Sequence, residues 1–391
     1  MQVLDDLTLN GARVLVRVDL NVPVRDGQVS DATRIERAVP TLAELAAAGA
    51  RVIVLSHFGR PKGQVVPALS LAPLAEPLSA ALGRPVAFAD LAEAPDAVAK
   101  MANGDVLLLE NLRFDPGEEA NGADFARTLA ALGDIYVNDA FSCAHRAHAS
   151  TFALAHLLPA AAGRALQAEL AALEAALASP RRPVAALVGG AKVSTKLAVL
   201  GHLLDKVEQL IIGGGMANTF LFAKGIGVGA SLCEADLADT AREIMANADK
   251  AGCEIVLPVD MVLARELRAG AASAIAPVDQ VPDDMMILDI GPASVSDLTR
   301  RLAGCRTLLW NGPLGAFEFP PFDGGTVKVA QAAASQTRAG ELISVAGGGD
   351  TVAALAHAGA ADDFTYVSTA GGAFLEWLEG EVLPGIEALE S

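Results

Sequence analysis

Two glycines and two lysines form the most specific cluster in this sequence of 391 residues. Gly189 and Gly190 follow the apolar run 184–188, and Lys192 and Lys196 come next. Small residues after a strand let the chain turn into a helix whose N-terminal amides can bind phosphate. The spacing of four predicts that both lysines project from one helical face, where two like charges are destabilising unless a phosphate lies beside them. The pattern G-x-x-x-x-G-K-[ST] is absent, so we predict a phosphate site that is not a P-loop.

A second glycine cluster, residues 347–349, follows the apolar run 342–345 and leads into Asp350 and Thr351. Glycine lets the backbone approach a phosphate chain closely. A carboxylate at the rim of a nucleotide site is a natural ligand for Mg²⁺, directly or through water. We therefore predict a nucleotide site here, with Asp350 as the metal ligand. Further candidates are Glu318 for a ribose hydroxyl, and Gly371 and Gly372 as helix N-terminal amides for a phosphate in transit.

In the first half of the chain, the apolar runs end at cations instead. Arg17 is followed by Asp19 and Asn21, a group that can grip a hydroxy-acid, the arginine on the anion and the other two on the hydroxyl. The alternative for this group is a surface ion pair before an Asx turn. The loop 57–62 places histidine, arginine and lysine directly after a buried strand. Positive charge is unfavourable there unless a bound anion compensates it.

Further cations follow the other runs of this half. Arg113 comes after one strand, and Arg146 lies between His145 and His148. Two histidines three residues apart are compatible with a metal site, but no cysteine or acidic residue completes one at a familiar spacing. The more natural interpretation is that they extend a cationic patch. Arg34, on a predicted helix, is by itself an ordinary solvated arginine.

Eleven short apolar runs must position these clusters. They are residues 14–18, 52–55, 106–109, 135–137, 184–188, 210–212, 255–257, 287–290, 308–310, 342–345 and 366–367. Runs without polar alternation suit parallel strands buried on both faces. Helical patterns separate them at 31–48, 71–82, 95–101, 123–132, 164–178 and 374–389. The sequence therefore predicts an α/β protein with doubly wound parallel sheets, in which ligands bind beyond the carboxyl ends of the strands.

A long helix over 164–178, followed by the proline-flanked segment 179–183, predicts a connector between two domains. A dehydrogenase is disfavoured, because the only match to a dinucleotide fingerprint, residues 225–230, follows a predicted helix rather than a strand. The other alternative is a non-catalytic two-lobed protein that closes over an anionic solute. It explains the arginines but neither the paired lysines nor Asp350, and it would need export.

Composition excludes other classes of function. The net charge of −18 argues against nucleic acid and membrane surfaces as partners, since both require a positive face. Although 52% of residues are hydrophobic, the apolar stretches are interrupted before the ~18 residues of a spanning helix. The four cysteines are scattered without CxxC spacing, which indicates free thiols in a reducing compartment. With no apolar export segment at the N-terminus, we expect a cytoplasmic protein, and we predict a monomer.

The clusters together resemble the signatures of the phosphoglycerate kinase family, in family order over essentially the whole chain. The segments that carry the resemblance are 17–23, 56–63, 110–114, 138–141, 144–151, 189–196, 213–218, 310–313 and 347–351. The resemblance implies two domains joined by a hinge, with residues 1–163 binding 3-phosphoglycerate, 164–183 connecting, and 184–368 binding nucleotide. It also implies that 369–391 pack back on the first domain.

The implied activity is reversible, Mg²⁺-dependent phosphoryl transfer between 1,3-bisphosphoglycerate and ADP. Carried over by motif, the phosphoglycerate ligands are Arg17, Asp19, Asn21, Arg34, His57, Phe58, Gly59, Arg60, Arg113 and Arg146. The nucleotide ligands are Lys196, Gly213, Asn311, Pro313, Glu318, Gly348, Gly349, Asp350 and Thr351. Arg34 and Lys192 match the positions that stabilise the transferring group, with Gly371 and Gly372 beside it. Our hypothesis is that these two cations, one from each domain, surround its oxygens when the domains close and exclude water.

The sequence departs from the family pattern in two places. Ser142 and Cys143 stand where the family more often has Gly-Thr, and we expect little effect because the cations are retained. Ala370 stands where glycine is usual. A positive φ at that position would be disfavoured for alanine, although its N–H can still donate.

Overall fold

The computed structural model describes residues 1–25 and 27–390 of the chain. They form two compact units: Met1–Leu170 together with the stretch from Val382 onward, and Ala171–Glu381. The boundary at Leu170 lies within the predicted connector 164–183. The C-terminal stretch joins the first unit from Val382, whereas the predicted segment begins at 369.

A parallel sheet forms the centre of the first unit. The strands of this unit are β1 (Gln2–Val3), β2 (Arg13–Arg17), β3 (Val24–Arg25), β4 (Gln28–Val29), β5 (Arg51–Leu55), β6 (Val86–Ala89), β7 (Val106–Leu109), β8 (Ile135–Asn138) and β9 (Ala160–Ala162). The sheet order is β1-β9-β8-β2-β5-β7-β6, with every neighbouring pair parallel. Strands β3 and β4 form a separate antiparallel hairpin.

Helices cover this sheet on both sides, as the alternation of strands and helices predicts. They are α1 (Thr33–Ala47), α2 (Ala75–Leu82), α3 (Ala94–Ala99), α4 (Pro116–Glu119) and α5 (Ala123–Ala130). In α1, apolar residues three or four apart bury one face, for example Ile35, Leu42 and Leu45. Helix α6 (Arg164–Leu173) continues as a π-helical turn, Glu174–Ala178, and crosses the boundary between the units.

The second unit contains another parallel sheet. The strands of this unit are β10 (Val184–Val188), β11 (Gln209–Ile212), β12 (Glu254–Val256), β13 (Asp260–Ala264), β14 (Ser273–Pro277), β15 (Met286–Ile290), β16 (Thr307–Asn311), β17 (Ile343–Gly347) and β18 (Tyr366–Ser368). The parallel sheet has the order β12-β11-β10-β16-β17-β18. Its strands are rich in aliphatic residues, and β10 and β16 are buried along their whole length.

Strands β14, β13 and β15 form a separate antiparallel sheet in that order. The prediction of a parallel strand at 287–290 is therefore wrong in direction, although the strand exists. The helices of this unit are α7 (Leu197–Leu203), α8 (Gly215–Ala223), α9 (Ala238–Ala251), α10 (Pro292–Ala303), α11 (Gly324–Arg338), α12 (Gly349–His357) and α13 (Gly371–Leu378).

The stretch after Val382 carries the short helix α14 (Pro384–Glu387) and belongs to the first unit. The Gly385 N–H donates to the Ala144 carbonyl oxygen at 2.8 Å, and Asn138 Nδ2 donates to the Gly385 carbonyl oxygen at 3.2 Å. The predicted class, two doubly wound parallel-sheet domains with a C-terminal return, is confirmed. Over the described ranges 1–25 and 27–390, none of the helices has the length and apolar character needed to span a bilayer.

Candidate active site

The carboxyl ends of four neighbouring strands of the first unit bring the predicted cations together. Strands β8, β2, β5 and β7 are adjacent and parallel, so the residues that follow them meet at one edge of the sheet. Arg17 ends β2, and His57 and Arg113 come shortly after β5 and β7. We call this group, with Arg34 and Arg146, the basic cluster.

Arg17 lies beneath the surface of the cluster and is fully buried. Its Nε donates to Ser150 Oγ at 2.9 Å, and its Nη1 donates to the Val18 carbonyl oxygen. Ser150 Oγ in turn donates to the buried carboxylate of Glu118 at 2.6 Å. The structure thus corrects both predictions for Arg17: it is neither a direct anion ligand nor part of a surface ion pair. Its guanidinium supports the cluster from below.

His57 receives that support. Arg17 Nη2 lies 3.0 Å from His57 Nδ1, and because a guanidinium can only donate, Nδ1 accepts and the ring proton resides on Nε2. Burial and the positive charge of Arg17 lower the pKa of His57 well below its usual value. The imidazole is therefore neutral at physiological pH and presents an N–H donor rather than a charge.

Asp19, Asn21 and Arg34 form the more open side of the cluster. Arg34 Nη1 lies 3.2 Å from Asp19 Oδ2 and donates to the Asn21 carbonyl oxygen at 2.6 Å. Asn21 Oδ1 accepts from the Gly59 N–H at 2.9 Å, which fixes the loop after β5. Burial opposes ionisation of Asp19, but the positive charge of Arg34 and hydrogen bonds from Ser142 and the Asn21 N–H hold its pKa below the ordinary value. Hydrogen bonds among these residues and the loop after β5 therefore fix their orientation.

The remaining cations differ in exposure. Arg113 is buried, donates from Nη1 to the Gly59 carbonyl oxygen at 2.8 Å, and has its Nε 3.4 Å from Glu119 Oε1. Arg146 is exposed, and its Nε donates to His145 Nε2 at 3.1 Å. Arg60 is exposed on the loop after β5. Within the described residues, its side chain contacts no member of the basic cluster.

Two other predicted residues, Phe58 and Gly59, contribute through their backbone. Phe58 is held by the side chain of Asn111, which donates to its carbonyl oxygen at 2.7 Å, and its ring packs on the apolar core.

Ser142 and Cys143, which differ from the family pattern, lie inside the basic cluster. Ser142 Oγ donates to Asp19 Oδ2 at 2.6 Å, and Cys143 Sγ lies 3.7 Å from Arg17 Nη2.

In the second unit, glycines allow the loops after β10, β16 and β17 to pack at backbone distance. A methyl group on Gly189 would lie 1.9 Å from the Pro313 carbonyl oxygen. Gly348 has φ +100°, and a methyl group there would lie 2.7 Å from Asn311 Nδ2. Asn311 Nδ2 also donates to the Gly347 carbonyl oxygen at 2.7 Å, and Thr351 Oγ1 accepts from the Gly312 N–H at 2.7 Å. Asn311 and Thr351 are buried and hold these loops together.

The structure corrects the prediction for the two lysines. Lys192 is in an extended conformation, a 3₁₀ turn (Val193–Thr195) follows, and Lys196 precedes α7. The two side chains therefore do not share a helical face. Lys196 Nζ donates to Asn311 Oδ1, and burial lowers its pKa against the opposing fields of Glu379 and Asp350. Lys192 is exposed.

A cavity of about 330 Å³ opens beside these loops. Three of the predicted nucleotide residues line it: Pro313, Glu318 and Asp350. The other predicted nucleotide residues lie outside its wall: Lys196, Gly213, Asn311, Gly348, Gly349 and Thr351. Most of the wall is apolar and was missed by sequence reasoning, including Leu232, Met261 and Leu288. The small-residue runs 190–191 and 214–215, also in the wall, were visible signals.

Asp289 is a further residue of the cavity wall that the sequence analysis missed. Burial raises its pKa to about 7, although its carboxylate accepts from the Gly325 N–H at 2.6 Å and the Ile290 N–H at 2.9 Å. A polar residue inside the apolar run 286–290 was the available signal.

Two helix N-termini adjoin each other near this cavity. A methyl group on Gly371, the first residue of α13, would lie 3.7 Å from the backbone nitrogen of Gly349, the first residue of α12. Free N–H groups at such ends favour an anion. Ala370, which precedes α13, has φ −94°. The departure from glycine at this position therefore imposes no strain, because the backbone does not require a positive φ here.

The cavity has a donor suited to a hard cation at its border. Asp350 lies in the first turn of α12 and is exposed. Among residues 1–25 and 27–390, no three histidine, cysteine or acidic side chains converge as a protein-only metal site. Mg²⁺ usually keeps several waters and is held by one or two carboxylates plus substrate phosphates, so a single aspartate fits this mode.

Comparison with known proteins agrees with these features. The sequence model of the phosphoglycerate kinase family matches residues 4–381. A phosphoglycerate kinase of Ruegeria sp. (strain TM1040) is 62% identical over 393 residues, covering 100% of this chain and 99% of the relative. One of Rhizobium meliloti (strain 1021) is 60% identical, covering 99% and 98%.

Solved structures give the same result. The phosphoglycerate kinase from Coxiella burnetii superposes with a TM-score of 0.93 at 43% identity, covering 99% of this chain and 98% of that one. The enzyme from Pyrococcus horikoshii OT3 gives a TM-score of 0.82 at 30% identity, covering 100% and 98%. Fold and site thus define an α/β kinase. The chain belongs to the phosphoglycerate kinase family.

Proposed function

We propose that the basic cluster and the cavity hold the two substrates of one reaction, the reversible transfer of a phosphoryl group from 1,3-bisphosphoglycerate to ADP, giving 3-phosphoglycerate and ATP. The observation that carries this proposal is the cavity of about 330 Å³ with Asp350 at its border and the start of α12 beside it. An apolar wall suits a nucleoside, and a carboxylate next to free helix amides suits a metal-bound phosphate chain.

On the first unit, the proposed ligand is the phosphoglycerate moiety. Arg34, Arg60 and Arg146 have accessible guanidinium groups for its anionic ends. Asp19 and Asn21 would receive the hydroxyl group, since both are already oriented by hydrogen bonds. Arg17 and Arg113 supply positive field from buried positions. Because the cluster is pre-organised, binding costs little side-chain ordering.

On the second unit, the proposed ligand is Mg-ADP or Mg-ATP. Glu318 would accept hydrogen bonds from the ribose, and Lys196 would lie beside the phosphate chain. Asp350 would hold the metal, directly or through water. When bound, Mg²⁺ neutralises charge on the phosphate oxygens.

For the transfer itself, we assign Arg34 and Lys192 to the charge that spreads over the moving phosphoryl group, with the amides of Gly371 and Gly372 beside it. Phosphoryl transfer depends on in-line positioning and electrostatic stabilisation more than on covalent help from the protein. Lys192 suits this role because it is exposed at the end of an extended segment, free to reach an oxygen that moves.

A coupled assay for ATP formation from 1,3-bisphosphoglycerate and ADP, with and without Mg²⁺, tests the proposal. Lys192→Ala should lower kcat by about 10²-fold, roughly 3 kcal/mol of transition-state stabilisation, with a small change in substrate affinity. Lys250→Ala, which removes an exposed lysine on α9, is the matched control and should match the wild type. Near-normal kcat for Lys192→Ala would contradict its assignment.

The solute-binding alternative makes a different prediction. A non-catalytic protein of that kind would bind an anion but not Mg-ADP. Isothermal titration with Mg-ADP separates the two, and we expect binding that Asp350→Ala weakens. Light scattering would test the predicted monomer, and fractionation of cells would test the predicted cytoplasmic location.

A further inference from the structure

The 3₁₀ turn that follows Lys192 is held by a carboxylate from another segment. Ser194 donates twice to Glu234, from its N–H to Oε2 at 3.0 Å and from its Oγ to Oε1 at 2.6 Å. The Ser194 N–H belongs to the segment whose backbone amides the sequence predicts to bind phosphate. Within the described ranges, the turn spans only Val193–Thr195, so it has few hydrogen bonds of its own to hold its shape.

Glu234 is itself anchored to a helix. Its N–H donates to Thr219 Oγ1 at 3.1 Å, and Asn218 Nδ2 donates to the Leu232 carbonyl oxygen at 3.0 Å. Asn218 and Thr219 are buried in α8. The carboxylate is therefore presented from a rigid base, and the position of the turn is set relative to α8 through two residues, Glu234 and Ser194.

The same carboxylate acts electrostatically on Lys192. Partial burial opposes ionisation of Glu234, but the hydrogen bonds from Ser194 and the positive charge of Lys192 hold the pKa of its carboxyl below the usual value. Glu234 is thus ionised at neutral pH. It fixes Ser194, two residues after Lys192, and its negative charge attracts the Lys192 ammonium group.

We propose that Glu234 is a positioning residue for Lys192, acting through Ser194 and through its own charge. This inference rests on the proposed function, in which Lys192 meets the transferring phosphoryl group. Glu234 does not line the cavity. Its loss should therefore affect the rate of transfer and leave nucleotide affinity unchanged.

The experiment compares kcat in the coupled assay with the Kd for Mg-ADP from titration calorimetry. Glu234→Ala should lower kcat about tenfold, since a misplaced cation loses stabilisation that is made only in the transition state. Its Kd should stay within about twofold of the wild type. Glu234→Gln keeps one acceptor for Ser194 but lacks the charge, and should recover part of the loss. Ser194→Ala removes one of the two donated bonds and should lower kcat about threefold.

Asp236→Ala is the matched control, because Asp236 is an exposed acidic residue of the same segment. It should leave both kcat and Kd as in the wild type. If the wild type forms no ATP, the proposed function fails. If the wild type is active and Glu234→Ala keeps full kcat, this inference alone is overturned. Parallel losses of kcat and Mg-ADP affinity would also overturn it, since they indicate a general structural role. Should Glu234→Ala not fold, unchanged kcat in both Glu234→Gln and Ser194→Ala overturns the inference.

Discussion

The strongest test of the basic cluster is the removal of the buried guanidinium beneath it. We predict that Arg17→Met lowers the free energy of unfolding of the first unit by about 3–5 kcal/mol at pH 8, the range for removing one partner of a buried charge pair. Methionine fills part of the space but donates no hydrogen bond to Ser150 Oγ, and the substitution removes the stronger of the two positive charges that act on Glu118. Both Arg17 and Glu118 are fully buried, so water cannot compensate.

The effect should depend on pH in a defined direction. Burial already raises the pKa of Glu118, and Arg17 opposes that rise. Without Arg17 the folded-state pKa climbs further above the unfolded value, so the folded state binds more protons. Stability is then lost as pH rises from the unfolded pKa through the folded pKa. Urea unfolding should therefore show a smaller loss at pH 5 than at pH 8.

Arg13→Met provides a control on the same strand. Arg13 begins β2, whereas Arg17 ends it, and Arg13 is paired with Asp134 at the surface, the two side chains being 32% and 45% exposed. Surface pairs contribute about 0–1 kcal/mol, so this variant should unfold almost like the wild type. A loss below about 1 kcal/mol for Arg17→Met, or a loss that shrinks as pH rises, would refute the argument.

Three further variants test other parts of the site, and a fourth serves as a control. Gly189→Ala should lower the free energy of unfolding of the second unit by about 3 kcal/mol in urea, because the added methyl group would overlap the loop after β16. As a control, Gly201→Ala in α7 has open space for its methyl group and should raise the free energy of unfolding by about 0.5–1 kcal/mol. Asp289→Asn should reduce the fall in stability between about pH 4 and 7, since a carboxyl with a raised folded-state pKa loses its stabilising contribution as pH rises through about 7. Ser142→Ala should raise the KM for 3-phosphoglycerate about fivefold through the lost bond to Asp19, and an unchanged KM would contradict that role.

The strands were largely predictable because their aliphatic runs are buried on both faces. Each of the eleven predicted runs coincides with a strand of the described chain. The sequence could not predict the direction in which a strand pairs, or the existence of strands with low β propensity. Apart from Asp289, residues 286–290 are as apolar as the parallel strands, and only their partners show that the pairing is antiparallel. Strand β9 (Ala160–Ala162) is all alanine, which has low β propensity, so its place beside β8 is decided by tertiary packing.

The site was predictable by location more than by contact. Sequence order placed cations at one sheet edge and glycines at another, and adjacent parallel strands bring each group together. The burial of individual side chains could not be predicted, because nothing in the sequence distinguishes the buried Arg17 from the exposed Arg60. The same holds for Lys192 and Lys196, whose spacing suggested one helical face although the backbone between them is a 3₁₀ turn. Glu234 lies 40 residues from the serine that it holds, which no local pattern reveals.

The return of the chain to the first unit has a consequence for biosynthesis. Residues from Val382 onward complete that unit, with the Gly385 amide bonded to Ala144 and its carbonyl bonded to the buried Asn138. During translation, the second unit is therefore synthesised before the segment that completes the first unit. Until then the carboxyl end of β8 stays uncovered, and the nascent first unit depends on its other contacts, or on chaperones, to avoid aggregation.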